Sequence, residues 1–188
     1  MIKSWSRKAS RVLQETRILD FCEASESSPY TGKEHNFVFI DSPNWVNLVP
    51  ITQHDEIVMI RQYRHGSRGV TLEIPGGMVD VGESPATAAI RECEEETGYL
   101  ATEVHSLGVL NPNPALFNNA LHTYYADVQA SCAEAHYSET EVIEVELVAI
   151  DRLESLLLDG SIDHALVCAT LWRFLGLLRG ALQPDPRR

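Results

Sequence analysis

The chain has 188 residues, of which 44% are hydrophobic, and a formal net charge of -12. That is enough apolar material for one domain with a sizeable core, and the acidic balance argues against nucleic acid as the main partner, since phosphate backbones are held by clustered Lys and Arg. The four cysteines, Cys22, Cys93, Cys132 and Cys168, form no C-x-x-C pair, so no structural zinc site is expected and a reducing, cytoplasmic setting is the simplest one.

The N-terminal MIKSWSRKAS has no apolar signal-peptide core. Residues 11–22 alternate loosely and predict one or two strands. Residues 25–33 are polar and turn-rich, and 37–40 read as a returning strand. A small N-terminal sheet or arm over 1–44 follows, not an independent domain, because about 40 residues seldom build a core alone. Trp5 reads as a packing aromatic in preference to one that stacks on a base.

Strands are predicted over 45–51 and 57–63. Arg61 and Arg64 stand at the end of the second one, before His65 and Gly66. Such a pair is either an ordinary charge pair on a strand rim or a contact for an anion, and spacing alone leaves both open.

Residues 72–99 read LEIPGGMVDVGESPATAAIRECEEETGY. Pro75-Gly76-Gly77 ends a short apolar strand over 70–74 with a flexible turn. Ser84-Pro85 suits an N-cap followed by Pro at the first helical position, and Gly98 suits a C-terminal stop. A helix over 85–97 is therefore predicted, with Ala86, Ala89, Ile90 and Cys93 as its apolar stripe. At roughly 100° per residue, Glu92 and Glu96 lie roughly 40° apart, with Glu95 beside them. Like charges at that spacing destabilise a bare helix, and a hard divalent cation would remove the penalty. An acidic face is more often simply solvated, but here the glycines and the preceding strand complete a longer spaced pattern.

Beyond 99, residues 100–110 read as strand, turn, strand. NPNPALFNN, 111–119, is loop chemistry. A strand over 121–128 returns, with His122 and Tyr124 on one face. Residues 131–140 are polar, with Glu139, Glu141 and Glu144 at their far end and just beyond. A strand over 145–150, a short helix ending near 160 and a longer helix over 161–178 follow. Ile162, Ala165, Leu166, Ala169, Leu171 and Leu175 are the apolar members of the last. Arg173 interrupts the most apolar run, 165–178, which is too short to span a membrane.

The spaced pattern is G-x5-E-x7-R-E-U-x-E-E-x-G-U, where U is bulky and apolar. Gly77, Glu83, Arg91, Glu92, Cys93, Glu95, Glu96, Gly98 and Tyr99 fill it. This stretch resembles the Nudix box of the Nudix hydrolases. The resemblance implies an α/β fold, an α/β/α sandwich with a mixed sheet, as one catalytic domain over 45–180, with the small N-terminal β arm before it and a tail over 181–188. It also implies a homodimer in which N-terminal strands are exchanged or packed across a two-fold axis.

Outside the box, VPIT, RQYRHG, LEIPGGMVD and NPNPALFNNALH are similar to the ADP-ribose pyrophosphatase and nucleoside-diphosphate-sugar group. That implies Mg²⁺-dependent hydrolysis of ADP-ribose or a related nucleoside-diphosphate sugar, with Mn²⁺ as a substitute. Glu92, Glu95 and Glu96 would hold the metal, with a carbonyl of Gly76 or Gly77, and Glu95 counts among the catalytic residues. In that group a glutamate on a loop after the box acts as base, and another two residues on binds metal. Glu139 and Glu141 have that spacing, and Glu144 is the spare. Arg64, with Arg61 second, would hold substrate phosphates, and Pro114 occupies the place of the group's marker proline. GDP-mannose or another nucleoside-diphosphate hexose stays open as substrate. A triphosphatase and a nucleotide-sensing domain without catalysis are disfavoured by Pro114 and by the complete box respectively.

Overall fold

The computed structural model describes residues 1–131 and 142–181. They fall into two compact units, Met1–Asn44 with Asn111–Ala120, and Trp45–Leu110 with the chain from Leu121 onward.

In the first unit β1 (Ser6–Glu15), β2 (Asp20–Ser27) and β3 (Glu34–Asp41) form an antiparallel sheet in that order. The turn before β3 is shorter than its polar composition predicts, because β2 continues to Ser27. Gly32, at φ 71°, then closes the turn by donating its N–H to the Ser28 carbonyl. Trp5 packs edge-on against Phe37 and His35, with ring centroids 5.4 and 5.7 Å away. The stretch Asn111–Ala120, read from sequence as part of the 45–180 domain, groups with this unit. Its asparagines explain how. Asn113 accepts three backbone N–H groups in a turn, Asn118 donates to Asp41, and Asn119 donates to the Pro43 carbonyl.

The second unit carries β4 (Trp45–Ile51), β5 (Glu56–Arg64), β6 (Gly69–Glu73), β7 (Gly76–Met78), α1 (Pro85–Thr97), β8 (Tyr99–Ala101), β9 (His105–Leu110), β10 (Leu121–Ala130), β11 (Ile143–Ala149), α2 (Leu153–Leu158) and α3 (Ala165–Leu178). The sheet order is β11-β5-β4-β10-β8, with β6 on β5, β7 on β4 and β9 on β10. β4 and β10 run parallel and the other pairs antiparallel, so the sheet is mixed.

Strand alternation divides the core into two layers. On β5, Val58 joins Val46 and Leu48 against Ala88, Ala89 and Cys93 of α1. Its neighbours Ile57 and Met59 join Val49 against Val167, Leu171, Phe174 and Leu175 of α3. The result is the α/β/α sandwich. Fully burying side chains such as Phe174, Leu171 and Met59 contributes about 1.5–3 kcal/mol each.

Two local features differ from expectation. The Gly-Gly turn is also a strand: β7 pairs Gly76 with Asn47 and Gly77 with Val46. And α3 starts at Ala165, not 161, because Asp159 caps Ser161 in a turn and His164 is the N-cap. Its buried stripe is Val167, Thr170, Leu171, Phe174 and Leu175, so Ala165, Leu166 and Ala169 are not its core members. Thr170 sits in that stripe because its hydroxyl donates to the Leu166 carbonyl and accepts from the Asn47 amide.

β4 meets β5 at a single register pair, Ile51 with Ile57. From there the strands part. β7 takes the place beside the first half of β4, and β6 continues on β5. The box glycines therefore sit where the sheet opens. Among the described residues, no helix is long and apolar enough to cross a membrane.

Candidate active site

Helix α1 has the ends its sequence predicts. Ser84 Oγ accepts the Thr87 N–H at 3.1 Å, Pro85 opens the helix, and Gly98, at φ 70°, donates its N–H to the Glu94 carbonyl. Ala88, Ala89 and Cys93 turn toward the sheet. Burial pushes the Cys93 thiol up to about 12, so it is a packed thiol and not a nucleophile.

Arg91 organises the carboxylates. Its Nε and Nη2 donate to the two oxygens of Glu83, each at 3.0 Å. Its Nη1 donates to Glu92 at 2.9 Å and Glu95 at 3.1 Å, and Nη2 also reaches the Met78 carbonyl at 3.1 Å. The guanidinium thus ties the loop before the helix to the middle of the helix. Hydrogen bonds from Arg91 hold the Glu83 carboxyl below the usual range, against burial and with help from the Asp80 amide.

Glu96 is buried, and its Oε2 accepts the Gly76 N–H at 2.9 Å. A Cβ on Gly77 would lie 2.3 Å from Glu92 Oε1, and one on Gly76 would lie 2.2 Å from the Val46 carbonyl oxygen. Both glycines are required by close approach: Gly76 to the β4 backbone, Gly77 to a box carboxylate.

Glu83, Glu92, Glu95 and Glu96 together face the Arg91 guanidinium and the backbone amides of Gly76 and Asp80. The donors are all oxygen, which suits a hard divalent cation by type and by charge. Among the described residues, no three acidic, His or Cys side chains converge as a formed metal cluster. Arg91 and the Gly76 amide hold the carboxylates in this arrangement.

Gly76 and Gly77 also line a cavity of about 650 Å³, together with Trp45, Asn47, Arg64 and Glu73. Arg64 donates through Nε and Nη2 to both oxygens of Glu73 at 2.8 Å. Thr71 Oγ1 donates to the same carboxylate at 2.5 Å. Burial pushes the Glu73 carboxyl up, but the bonds from Arg64 and Thr71 outweigh it and hold the group below its ordinary value. His164 Nδ1 lies 4.0 Å from Glu73 and also accepts the Val167 N–H as the α3 cap. One nitrogen cannot accept that amide and carry a proton toward Glu73 at the same time.

The sequence-predicted residues are thus partly gathered. Glu92, Glu95 and Glu96 share one face of α1, with Glu96 buried against Gly76 and with Gly76 and Arg64 lining one cavity. Arg61 is not among the residues lining that cavity. Three positions from Arg64 on a strand, it faces the other side of β5 and pairs with Glu146. Pro114 is exposed in a turn of the first unit. Glu144 is exposed on β11, in register with Arg61. Glu139 and Glu141 lie outside the described residues. Sequence reasoning missed Glu73 and His164. The signal for Glu73 was a lone carboxylate inside the apolar strand LEIP.

The NUDIX domain model matches residues 42–171. A CMP-5'-(N-acetyl-N-hydroxy-3-aminopropyl)phosphonate hydrolase of Streptomyces rubellomurinus is 30% identical over 180 residues, covering 96% of this chain and 86% of the relative. An ADP-ribose pyrophosphatase of Bacillus subtilis is 29% identical over 121 residues, covering 64% of this chain and 65% of the relative. A crystal structure of an ADP compounds hydrolase, 22% identical, superposes with a TM-score of 0.82 over 96% of this chain and 97% of that one, which shows the shared fold. With the domain match spanning more than half the chain and the box carboxylates gathered on α1, the chain belongs to the NUDIX family, as a pyrophosphohydrolase similar to the ADP-ribose pyrophosphatases.

Proposed function

We propose that the protein hydrolyses the diphosphate of ADP-ribose or a related nucleoside-diphosphate sugar in the presence of Mg²⁺. Water adds to one phosphorus, the P–O bond to the bridging oxygen breaks, and the products are a nucleoside monophosphate and a sugar phosphate. The observation that carries this reading is the cavity bounded by Gly76 and Gly77, whose neighbours are Glu92 and Glu96, and by the Arg64 fork.

Glu92, Glu95 and Glu96 are the residues that would hold Mg²⁺, with a Gly76 carbonyl and Glu141 in addition. The cation supplies charge neutralisation and activation of water. Arg64 binds a phosphate oxygen of the group that is not attacked, a task the planar guanidinium suits. Glu139 takes the proton of the attacking water, with Glu144 the alternative. Arg91 keeps Glu92 and Glu95 oriented from the helix side.

The Streptomyces relative favours a second reading. Its printed activity is on a CMP-linked phosphonate, and it matches nearly the whole chain. A cytidine compound with a leaving group that is not a sugar uses the same chemistry at the same site. GDP-mannose remains a third candidate within the sugar class.

The test is phosphate release with Mg²⁺ and a coupled phosphatase. The panel is ADP-ribose, GDP-mannose, UDP-glucose, CDP-choline and dGTP, with Glu96→Gln beside wild type. Turnover of ADP-ribose that collapses in the variant supports the first reading. CDP-choline as the best substrate moves the specificity to the second, and no turnover of any compound sinks the hydrolase reading.

A further inference from the structure

Among the described residues, Glu73 and Glu96 are the buried carboxylates, 2% and 7% exposed. The box accounts for Glu96, whereas Glu73 lies outside it. Burying a carboxylate costs several kcal/mol unless charged partners and hydrogen bonds offset the lost hydration. Glu73 has both, in the Arg64 fork and the Thr71 hydroxyl. Its partner is not buried with it: the Arg64 side chain is 41% exposed and lines the cavity shared with Gly76 and Gly77. An ion pair serving stability alone is often matched or bettered by apolar residues of similar size. This one has both partners on the cavity wall, the carboxylate almost fully covered and the guanidinium partly open.

We propose that Glu73 is a positioning residue for Arg64. It clamps the Nε/Nη2 edge of the guanidinium and so orients the Nη1/Nη2 edge to bind a substrate phosphate in this cavity. This rests on the pyrophosphohydrolase reading above. A guanidinium is planar and rigid, so fixing one edge fixes the other. A fork oriented before the ligand arrives loses less rotamer freedom on binding, and that difference strengthens binding. Thr71 holds Glu73 from the strand two residues away, so the clamp is itself held. Glutamine cannot replace Glu73 here: its amide nitrogen is a donor and would face a second donor on Arg64.

Steady-state kinetics on ADP-ribose test the clamp. Glu73→Gln is expected to raise KM about tenfold, the scale of one hydrogen bond to a charged group, and to leave kcat within about twofold. Glu73→Asp recovers part of the loss. In an Arg64→Ala background Glu73→Gln adds nothing further, because the two residues act as one unit. An unchanged or lower KM in Glu73→Gln, or effects that multiply in the double variant, would overturn the proposal. So would a fall in kcat that follows the folded fraction with KM unmoved. If Glu73→Gln does not fold, the Arg64 Nε–H resonance of ¹⁵N-labelled wild type decides. A sharp, slowly exchanging signal that shifts with Mg²⁺ and inorganic pyrophosphate supports the clamp, and a signal lost to fast exchange refutes it. Wild type that cleaves no diphosphate while this resonance still shifts refutes the substrate reading and leaves the clamp standing. Turnover with KM unchanged in Glu73→Gln refutes the clamp alone.

Discussion

Gly77 and Glu92 meet so closely that a single methyl group on Gly77 would stand 2.3 Å from Glu92 Oε1. The residue in the way is the end of a flexible side chain, which can swing aside. Gly77→Ala should therefore fold with a stability loss of about 1 kcal/mol, since what moves is the end of one flexible side chain and not the backbone. Its kcat/KM should fall at least about a hundredfold, because Glu92 leaves its place. At Gly76 the obstacle is the Val46 carbonyl, 2.2 Å away, which belongs to the backbone of a central strand. Gly76→Ala should lose about 2–3 kcal/mol or more. Urea melts and kinetics on both variants check the contrast, and equal stability losses would refute it.

Arg91→Met removes the group that contacts Glu83, Glu92 and Glu95. The expected loss is about 2 kcal/mol at low salt, from the charged hydrogen bonds and the unshielded carboxylates. Repulsion among the remaining glutamates is screened by salt. The variant should therefore regain stability between about 0.05 and 1 M NaCl relative to wild type. Melts at the two salt levels that differ equally for both proteins would contradict the account.

Mg²⁺ should raise Tm without any substrate, as binding to the folded state alone requires. At a hundred times Kd the gain is about 2.7 kcal/mol. EDTA should reverse it. Glu92→Gln and Glu96→Gln should each weaken the shift, because each removes a carboxylate from the acidic face. A Tm shift of wild-type size in both variants would place the cation elsewhere.

The folded-state pKa values of Glu73 and Glu83 are both lowered. A lowered carboxyl contributes stability that is fully present above the unfolded value, about 4.3, and is lost as pH falls through the folded value. Wild type should therefore lose stability steeply below about pH 4. Glu73→Gln with Glu83→Gln should be less stable at neutral pH and decline less steeply in acid. Urea midpoints from pH 7 down to pH 3 measure both slopes, and parallel acid limbs would sink this assignment.

How much was legible in advance depended on how local the cause was. The bounds of α1 were readable because Ser84, Pro85 and Gly98 act on their own turn of chain. The shared face of Glu92, Glu95 and Glu96 follows from helical rotation. The strands β4 and β5 were readable from short apolar runs. By contrast, the Arg64–Glu73 fork exists because β5 pairs with β6 in one register, which sets Arg64 opposite Gly69 and Ile60 opposite Glu73. No spacing rule along the chain anticipates that.

The sequence by itself determined the box, its helix, the carboxylate face and the family, because capping, helical rotation and motif spacing are properties of neighbouring residues. Tertiary structure decided the rest. It made a strand of Gly76–Met78 against β4, turned the Val167–Leu175 stripe of α3 inward, separated Arg61 from Arg64 on opposite faces of β5, and placed Asn111–Ala120 with the first unit. Each of those outcomes depends on which distant strand or side chain a residue meets, and strand register and core packing settle that when the chain folds.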